Sequence, residues 1–360
     1  MLISILMSLS CGSGDVDITI NGTPETTEVS QEPATTETEE PTTESFGNLL
    51  EKRQSFTGES PGDLSGYAIA GGGQLDTDTR ADILIGAYGS DPNGTHSGKA
   101  YLVFGSSLSD DRTRSLSEAD LMFVGEEPKD HLGMNLIFAP DLGNDGRSDI
   151  VIAAPYNKKI YIFHSDEIDT SDQYISVTEA SYTLIGENAG DYIGWSMSVG
   201  DFDGDSKSDL LIGADGSDYG GFSAGLTYMI LSRSLGTESR INMELSDYKF
   251  IGSYIGENSG QATATGDLDG DGLSDIIIGA DGNDQYAENG GAIYVVYAQN
   301  LFALDLFLEN ADIGIFNNVA FAEAGSSLSS GQDATGDGVD DILVGAPSPE
   351  FHSSQKGRVY

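Results

Sequence analysis

The chain has 360 residues, with 59 acidic against 16 basic side chains and a net charge of −43. That balance excludes nucleic-acid binding and direct attraction to anionic lipid, both of which need basic patches. It suits a hard cation, a high-salt or extracellular setting, or both. Cys11 is the single cysteine, which excludes an internal disulfide, and no uninterrupted apolar run is long enough to span a bilayer as a helix.

Residues 1–11 read as a signal peptide. A short apolar stretch, Leu2 to Leu9, ends in small residues before Cys11. It resembles a bacterial lipoprotein signal, whose cysteine is acylated after cleavage. It departs from that pattern in having no Lys or Arg ahead of the apolar run, and Ser8 where Leu is usual. These departures suggest a start further upstream; the alternative is an ordinary secretory signal with an incidental cysteine. Residues 12–50 are Thr/Glu/Pro-rich, as in Thr35-Thr36-Glu37-Thr38-Glu39-Glu40-Pro41. So few apolar side chains cannot offset the entropy of ordering, so this segment reads as a disordered, self-repelling stalk.

Residues 51–360 repeat themselves. An acidic loop recurs with its ninth position at Asp82, Asp149, Asp209, Asp275 and Asp341, and each copy runs into a short β-branched segment such as Leu210-Leu211-Ile212-Gly213-Ala214. These runs predict strands buried on both faces. A Tyr-centred strand follows, at Lys99 to Phe104, Lys159 to Phe163, Leu226 to Leu231, Ala292 to Tyr297 and Arg358 to Tyr360. Repeat two is seven residues shorter between the loop's last Asp and this Tyr, which accounts for its shorter spacing. A third strand ends in Gly-Glu, as in Phe123-Val124-Gly125-Glu126, and a fourth leads into the loop, as in Trp195 to Val199. Four short strands per repeat without helical periodicity predict an all-β fold of β-propeller blades.

A Gly ahead of each loop, the Asp-x-Asp-x-Asp-Gly loop and a Gly-Ala-Pro segment together resemble the FG-GAP repeat of integrin α-subunit β-propellers. Ser65-Gly66, Leu132-Gly133 and Ile193-Gly194 stand at the Phe-Gly position. Ala153-Ala154-Pro155 and Gly345-Ala346-Pro347 stand at the Gly-Ala-Pro position, whereas repeats one, three and four have Gly-Ala without Pro. The resemblance implies calcium loops on one face and an adhesive or ligand-binding role, without naming a ligand. Complete propellers of the family usually have seven blades. Five four-stranded repeats are visible and the fifth stops within its Tyr-centred strand. A fragment of a seven-bladed ring is therefore the expectation, with a closed five-bladed ring as the alternative.

Like charges this close call for a counter-ion, because two unit charges roughly 4 Å apart repel by about 4 kcal/mol at an effective dielectric near 20. Calcium takes six to eight oxygen ligands and removes that repulsion. Repeat three offers Asp201, Asp203, Asp205 and Asp209 with the Lys207 carbonyl; repeat four offers Asp267, Asp269, Asp271 and Asp275 with the Leu273 carbonyl. Repeat five offers Asp333, Thr335, Asp337 and Asp341. Repeat one offers Asp76, Asp78 and Asp82 with Gln74 at the first position, and repeat two offers Asp141, Asp145 and Asp149 but has Gly143 at the third. Affinity should follow ligand charge, so loops three and four rank first, then five, one and two. An EF-hand is excluded because position 12 is Ile212 or Ile278, within a strand. A solvated Asp-Gly turn without metal is the alternative, more so for loops one and two.

Catalytic signals are poor. Gly58-Glu59-Ser60-Pro61-Gly62 spells a nucleophile elbow but aligns with the plain turn at Gly186-Glu187. His96, His131, His164 and His352 occupy no common repeat position, and Trp195 and the tyrosines are expected to fill blade cores. The resulting expectation is a calcium-binding, non-enzymatic propeller. It would sit in a bacterial cell envelope as an outer-membrane lipoprotein, or be secreted, touching membrane only through a lipid on Cys11 and binding a protein or glycan. The alternatives are the accessory propeller of a larger secreted enzyme and a purely architectural envelope protein.

Overall fold

The computed structural model describes residues 15–17, 54–108, 113–143, 145–236, 238–347 and 357–360. The signal with Cys11, the 12–50 stalk apart from the strand Asp15–Asp17, and His352 lie outside the described residues. Among the described residues every regular element is a short strand or a 3-10 turn.

Blade three shows the plan. Met197–Gly200, Asp209–Ala214, Leu226–Ile230 and Tyr248–Ile251 pair antiparallel in chain order, with Met197 opposite Ile212 and Ile212 opposite Tyr228. Blade one (Ile69–Gly73, Asp82–Ala87, Lys99–Val103, Leu121–Val124), blade two (Asn135–Pro140, Ser148–Ala154, Lys159–Phe163, Tyr182–Ile185) and blade four (Ser259–Gly266, Asp275–Ala280, Ala292–Val296, Ile313–Phe316) repeat it. Blade five has Ser327–Ser329, Leu343–Ala346 and Arg358–Val359. The first strands of successive blades lie against one another and so line a common axis.

The continuous apolar runs are explained by the pleat, which sends alternate residues to opposite faces. Leu210, Ile212 and Ala214 pack with Val151, Ala153, Ile160 and Ile162 of blade two, whereas Leu211 packs with Ile276, Ile278 and Ala280 of blade four. Each second strand is thus core to two interfaces at once. Close approach explains the paired glycines. A Cβ on Gly213 would collide with the Gly260 carbonyl of the next blade, and Gly86 and Gly279 stand in the same relation to Gly133 and Gly325.

Blades one, two and three carry a fifth strand that the four-strand expectation lacks. A three-residue segment of the following repeat reaches back and pairs parallel with the fourth strand: Tyr174–Ser176 with Leu121–Val124, Arg240–Asn242 with Tyr182–Ile185, and Asp305–Phe307 with Tyr248–Ile251. Thr113–Ser115 pairs in the same way with Ser55–Thr57. A 3-10 turn follows each tie and seats one apolar side chain in the core: Leu116, Val177, Met243 or Leu308. The signal for this element is in the sequence, since Ser-Leu-Ser-Glu-Ala-Asp at 115–120 and Ser-Val-Thr-Glu-Ala-Ser at 176–181 share its pattern.

Candidate metal centres and the opposite face

Each acidic loop joins the first strand of a blade to its second, so all of them lie at one end of the axis. Asp and Gly favour the turn because a short carboxylate can accept from backbone N–H groups a few residues on. Asp201 accepts from Gly204 at 2.7 Å and Ser206 at 2.8 Å, and Asp205 from Lys207 at 2.9 Å. Asp267 accepts from Gly270 at 2.7 Å and Gly272 at 3.0 Å, and Asp271 from Leu273 at 2.8 Å. Loop five repeats this, with Asp333 accepting from Gly336, Asp337 and Gly338.

The ninth carboxylate is built differently. Asp82, Asp149, Asp209 and Asp275 are wholly buried. One oxygen of each accepts an N–H from the loop itself: Leu75, Gly143, Phe202 or Leu268. The other accepts from the turn after the third strand: Gly105, Ser165, Ser232 or Ala298. In loop five the donors to Asp341 among the described residues are loop residues, Ala334 and Thr335.

Two groups of carboxylates converge among the described residues. Oxygens of Asp201, Asp203 and Asp209 lie within 4.8 Å of one another, and so do those of Asp267, Asp269 and Asp275. Asp205 and Asp271 stand outside these groups, held by their bonds to Lys207 and Leu273. Burial raises the Asp209 carboxyl above its usual range, and the Asp205 and Asp201 charges add to it. Burial, with Asp269 and Asp271, raises Asp275 to about 6. Three converging carboxylate oxygens, one of them on a buried Asp of raised proton affinity, fit a hard divalent cation, which would neutralise the clustered charge. The groups that face these carboxylates stand on exposed side chains: the Arg233 guanidinium, 56% exposed, pairs with Asp203, and the neutral Gln299 amide donates to Asp269.

The other loops do not bring three carboxylates together among the described residues. In loop one Asp76 accepts from Asp78 at 2.9 Å and Asp78 from Arg80 at 2.6 Å. In loop two Asp141 accepts from Gly146, while Asp145 is taken by Arg147 at 2.8 Å and by the Ser165 hydroxyl at 2.7 Å. A Cβ on Gly143 would collide with Nδ1 of His164, so that ring fills the place where a third-position carboxylate would stand.

Neighbouring loops are hydrogen-bonded to each other. Asp201 and Ser274 exchange two bonds, Ser274 N to Asp201 O at 2.8 Å and Asp201 N to Ser274 Oγ at 3.2 Å. Gln74 and Ser148 do the same, as do Asp267 and Asp340. At loop two the Asp141 N–H turns inward to the Arg147 carbonyl instead.

The blades are also clasped through the Gly-Glu turns. Glu59 accepts from Lys99 and the Tyr101 hydroxyl, both at 2.7 Å, and Glu187 from Lys249 at 2.6 Å and Tyr228 at 3.2 Å. Tyr101, Tyr161, Tyr228 and Tyr294 fill cores as expected. Trp195 does not: it is part-exposed at the end of the axis opposite the acidic loops, 6.2 Å from Tyr192. His96 and His131 both lie on loops, with their rings 5.4 Å apart.

The FG-GAP repeat model matches residues 193–228, 259–296 and 324–360, which are repeats three to five. Phosphatidylinositol-glycan-specific phospholipase D of Mus musculus is 31% identical over 190 residues, covering 52% of this chain and 22% of that protein. Integrin alpha-M of Mus musculus is 32% identical over 169 residues, 47% of this chain and 14% of that protein. Integrin alpha-PS2 of Drosophila melanogaster is 32% identical over 185 residues, 47% and 12% respectively. The chain therefore spans less than a quarter of the length of these relatives.

Proposed function

This chain carries the FG-GAP repeats of an integrin-like β-propeller, and from that premise we propose that it is a calcium-clasped binding module working outside the cytoplasm, without catalysis of its own. The observation that carries the proposal is the convergence of Asp201, Asp203 and Asp209, and of Asp267, Asp269 and Asp275, at equivalent points of adjacent blades. Calcium held there would neutralise the clustered charge and fix the connection between first and second strands. Asp205, Asp271 and the carbonyls of Lys207 and Leu273 would complete the oxygen set once the two carboxylates turn inward from their bonds to the Lys207 and Leu273 N–H groups. Because neighbouring loops share hydrogen bonds, the effect would spread around the ring. Asp333, Thr335, Asp337 and Asp341 form a weaker third site. Loop two, where Arg147 already pairs with Asp145, would need a cation least.

The partner is a protein or a glycan, met on the variable loops of the scaffold. The Cys11 signal and the acidic stalk support display on a bacterial envelope by a lipid anchor, or secretion. No helix among the described residues is long and apolar enough to cross a membrane. The match to a phospholipase D favours a second reading, in which the propeller is the accessory part of a larger secreted enzyme.

Thermal melting in excess calcium and in EDTA tests the metal. The expected result is a melting temperature higher in calcium; identical melts in both would overturn the calcium reading. Expression of the full-length reading frame with a phosphodiesterase assay separates a binding protein from an enzyme's accessory domain.

A further inference from the structure

The end of the axis opposite the acidic loops carries a different set of residues. Beside the inner strands of blades one to three lies a chain of touching rings. Tyr67 is 4.7 Å from Tyr88, Tyr88 5.6 Å from His131, His131 4.3 Å from Tyr156, Tyr156 5.2 Å from Tyr192 and Tyr192 6.2 Å from Trp195. Tyr67 and Tyr156 are 47% and 44% exposed. In blades three and four Asp215 and Asp281 stand where blade one has Tyr88, so the arc passes from aromatic to acidic. Asp215 lies near enough for its charge to act on the Tyr156 hydroxyl, and its Oδ1 is buried with no hydrogen-bond partner among the described residues. At the other end His96 joins His131 to a polar cleft of about 440 Å³ lined by Glu59, Asp63, Ser90 and Asp91. Lys99 also lines that cleft, with its ammonium already paired to Glu59.

We infer that this arc is a binding site for a neutral oligosaccharide. Two features select that class. Adjacent rings touch at interplanar angles between 53° and 77°, so no pair leaves the gap that a cage for a cation needs; what they offer is a stepped strip, suited to an elongated ligand that turns its C–H groups to successive rings. Carboxylates flank the strip, which repels anionic glycans and offers acceptors to hydroxyl donors. The inference rests on the reading of the propeller as a binding module and assigns its ligand class and surface.

Trp195 is the single tryptophan, so its fluorescence reports the arc directly. The full chain in calcium is titrated with maltohexaose, cellohexaose, chitohexaose and mannohexaose, followed by Trp195 emission and by calorimetry. At least one hexasaccharide is expected to bind and to change the emission. Tyr156→Ala should weaken that binding about tenfold or more, and Asp215→Asn should weaken it less. Tyr174→Ala, an exposed ring on an outer tie strand, should leave it unchanged. Melting of each variant shows that the fold is retained. No binding by any of the four sugars, binding indifferent to Tyr156→Ala, or binding of decalysine alone would overturn the inference. A calcium-dependent melt without saccharide binding defeats this inference and spares the calcium reading; saccharide binding with a calcium-independent melt does the reverse.

Discussion

Asp209 and Ser232 stand 23 positions apart and are joined by a 2.7 Å bond from the Ser232 N–H to Asp209 Oδ1. The pair ties the end of the acidic loop to the turn that leaves the third strand. Asp82 with Gly105 and Asp275 with Ala298 keep the same separation. Asp149 with Ser165 keeps the bond across only 16 positions, because repeat two is shorter there. The ninth carboxylate is therefore a structural clasp in its own right as well as a candidate metal ligand.

Asp209→Ala should consequently destabilise the protein even with no metal present. It leaves the Phe202 and Ser232 N–H groups buried without acceptors, at a cost of about 2–4 kcal/mol in all. Asp205→Ala removes a loop bond from an exposed residue and should cost less than about 1 kcal/mol under the same conditions. Urea denaturation in EDTA checks both; equal losses would contradict the clasp.

Lys249 is a buried cation, with its side chain 7% exposed and Nζ 2.6 Å from Glu187. It also lies over the rings of Tyr219 and Tyr228. Glu187→Gln leaves that ammonium uncompensated and should cost about 3 kcal/mol. Adding Lys249→Met should restore much of the loss, since a removed pair is cheaper than a broken one. A double mutant as unstable as Glu187→Gln would show that the pair is not what couples the blades.

The pH dependence has a definite sign. Burial raises Asp215 to about 7, helped by Asp281, and raises Glu257 to about 7; burial and Glu323 raise Asp281 to about 6. The folded chain thus holds protons that the unfolded chain releases near pH 4. Their stabilising contribution is complete below that value and is lost as pH rises through 6 to 7. In EDTA the melting temperature should fall between pH 5 and pH 8, and Asp215→Asn should flatten the slope. A melting temperature that climbs over this range would refute the assignment.

Loop two should resist conversion into a metal site. Gly143→Asp supplies the third-position carboxylate but drives its Cβ into His164. Overpacking of this kind costs about 1–3 kcal/mol. A calcium titration of the variant should show no added site together with a lower melting temperature; an added site would mean that His164 yields readily.

The blades were legible in the sequence because three periodicities coincide there: the acidic loop, the β-branched run and the Tyr-centred strand. The leading rank of loops three and four followed from a count of carboxylates, and these are the loops where three oxygens converge. The parallel ties leave little in the sequence beyond the pattern of the turn that follows them, since a three-residue strand such as Arg240–Asn242 has no alternation of its own and is defined by its partner across the blade. The ninth Asp signals only ligation in the sequence, because its donors at the 3-10 turn are backbone groups that carry no side-chain signal. Aromatic residues usually fill cores, which is the expectation for Trp195. Its position just after Ile193-Gly194, ahead of an inner strand, puts it at the end of the axis instead. Loop two gave half its answer: Gly143 was visible as a missing ligand, but the intrusion of His164 from the next turn is a tertiary fact.

Isothermal titration of the metal-free chain with calcium, alongside Asp203→Ala and Asp269→Ala, tests the central claim most directly. The account predicts two tight sites, with loop five weaker. Each substitution should remove one tight site and leave the other, and the two together should abolish both. A heat trace without tight binding, or one that neither substitution alters, would contradict it.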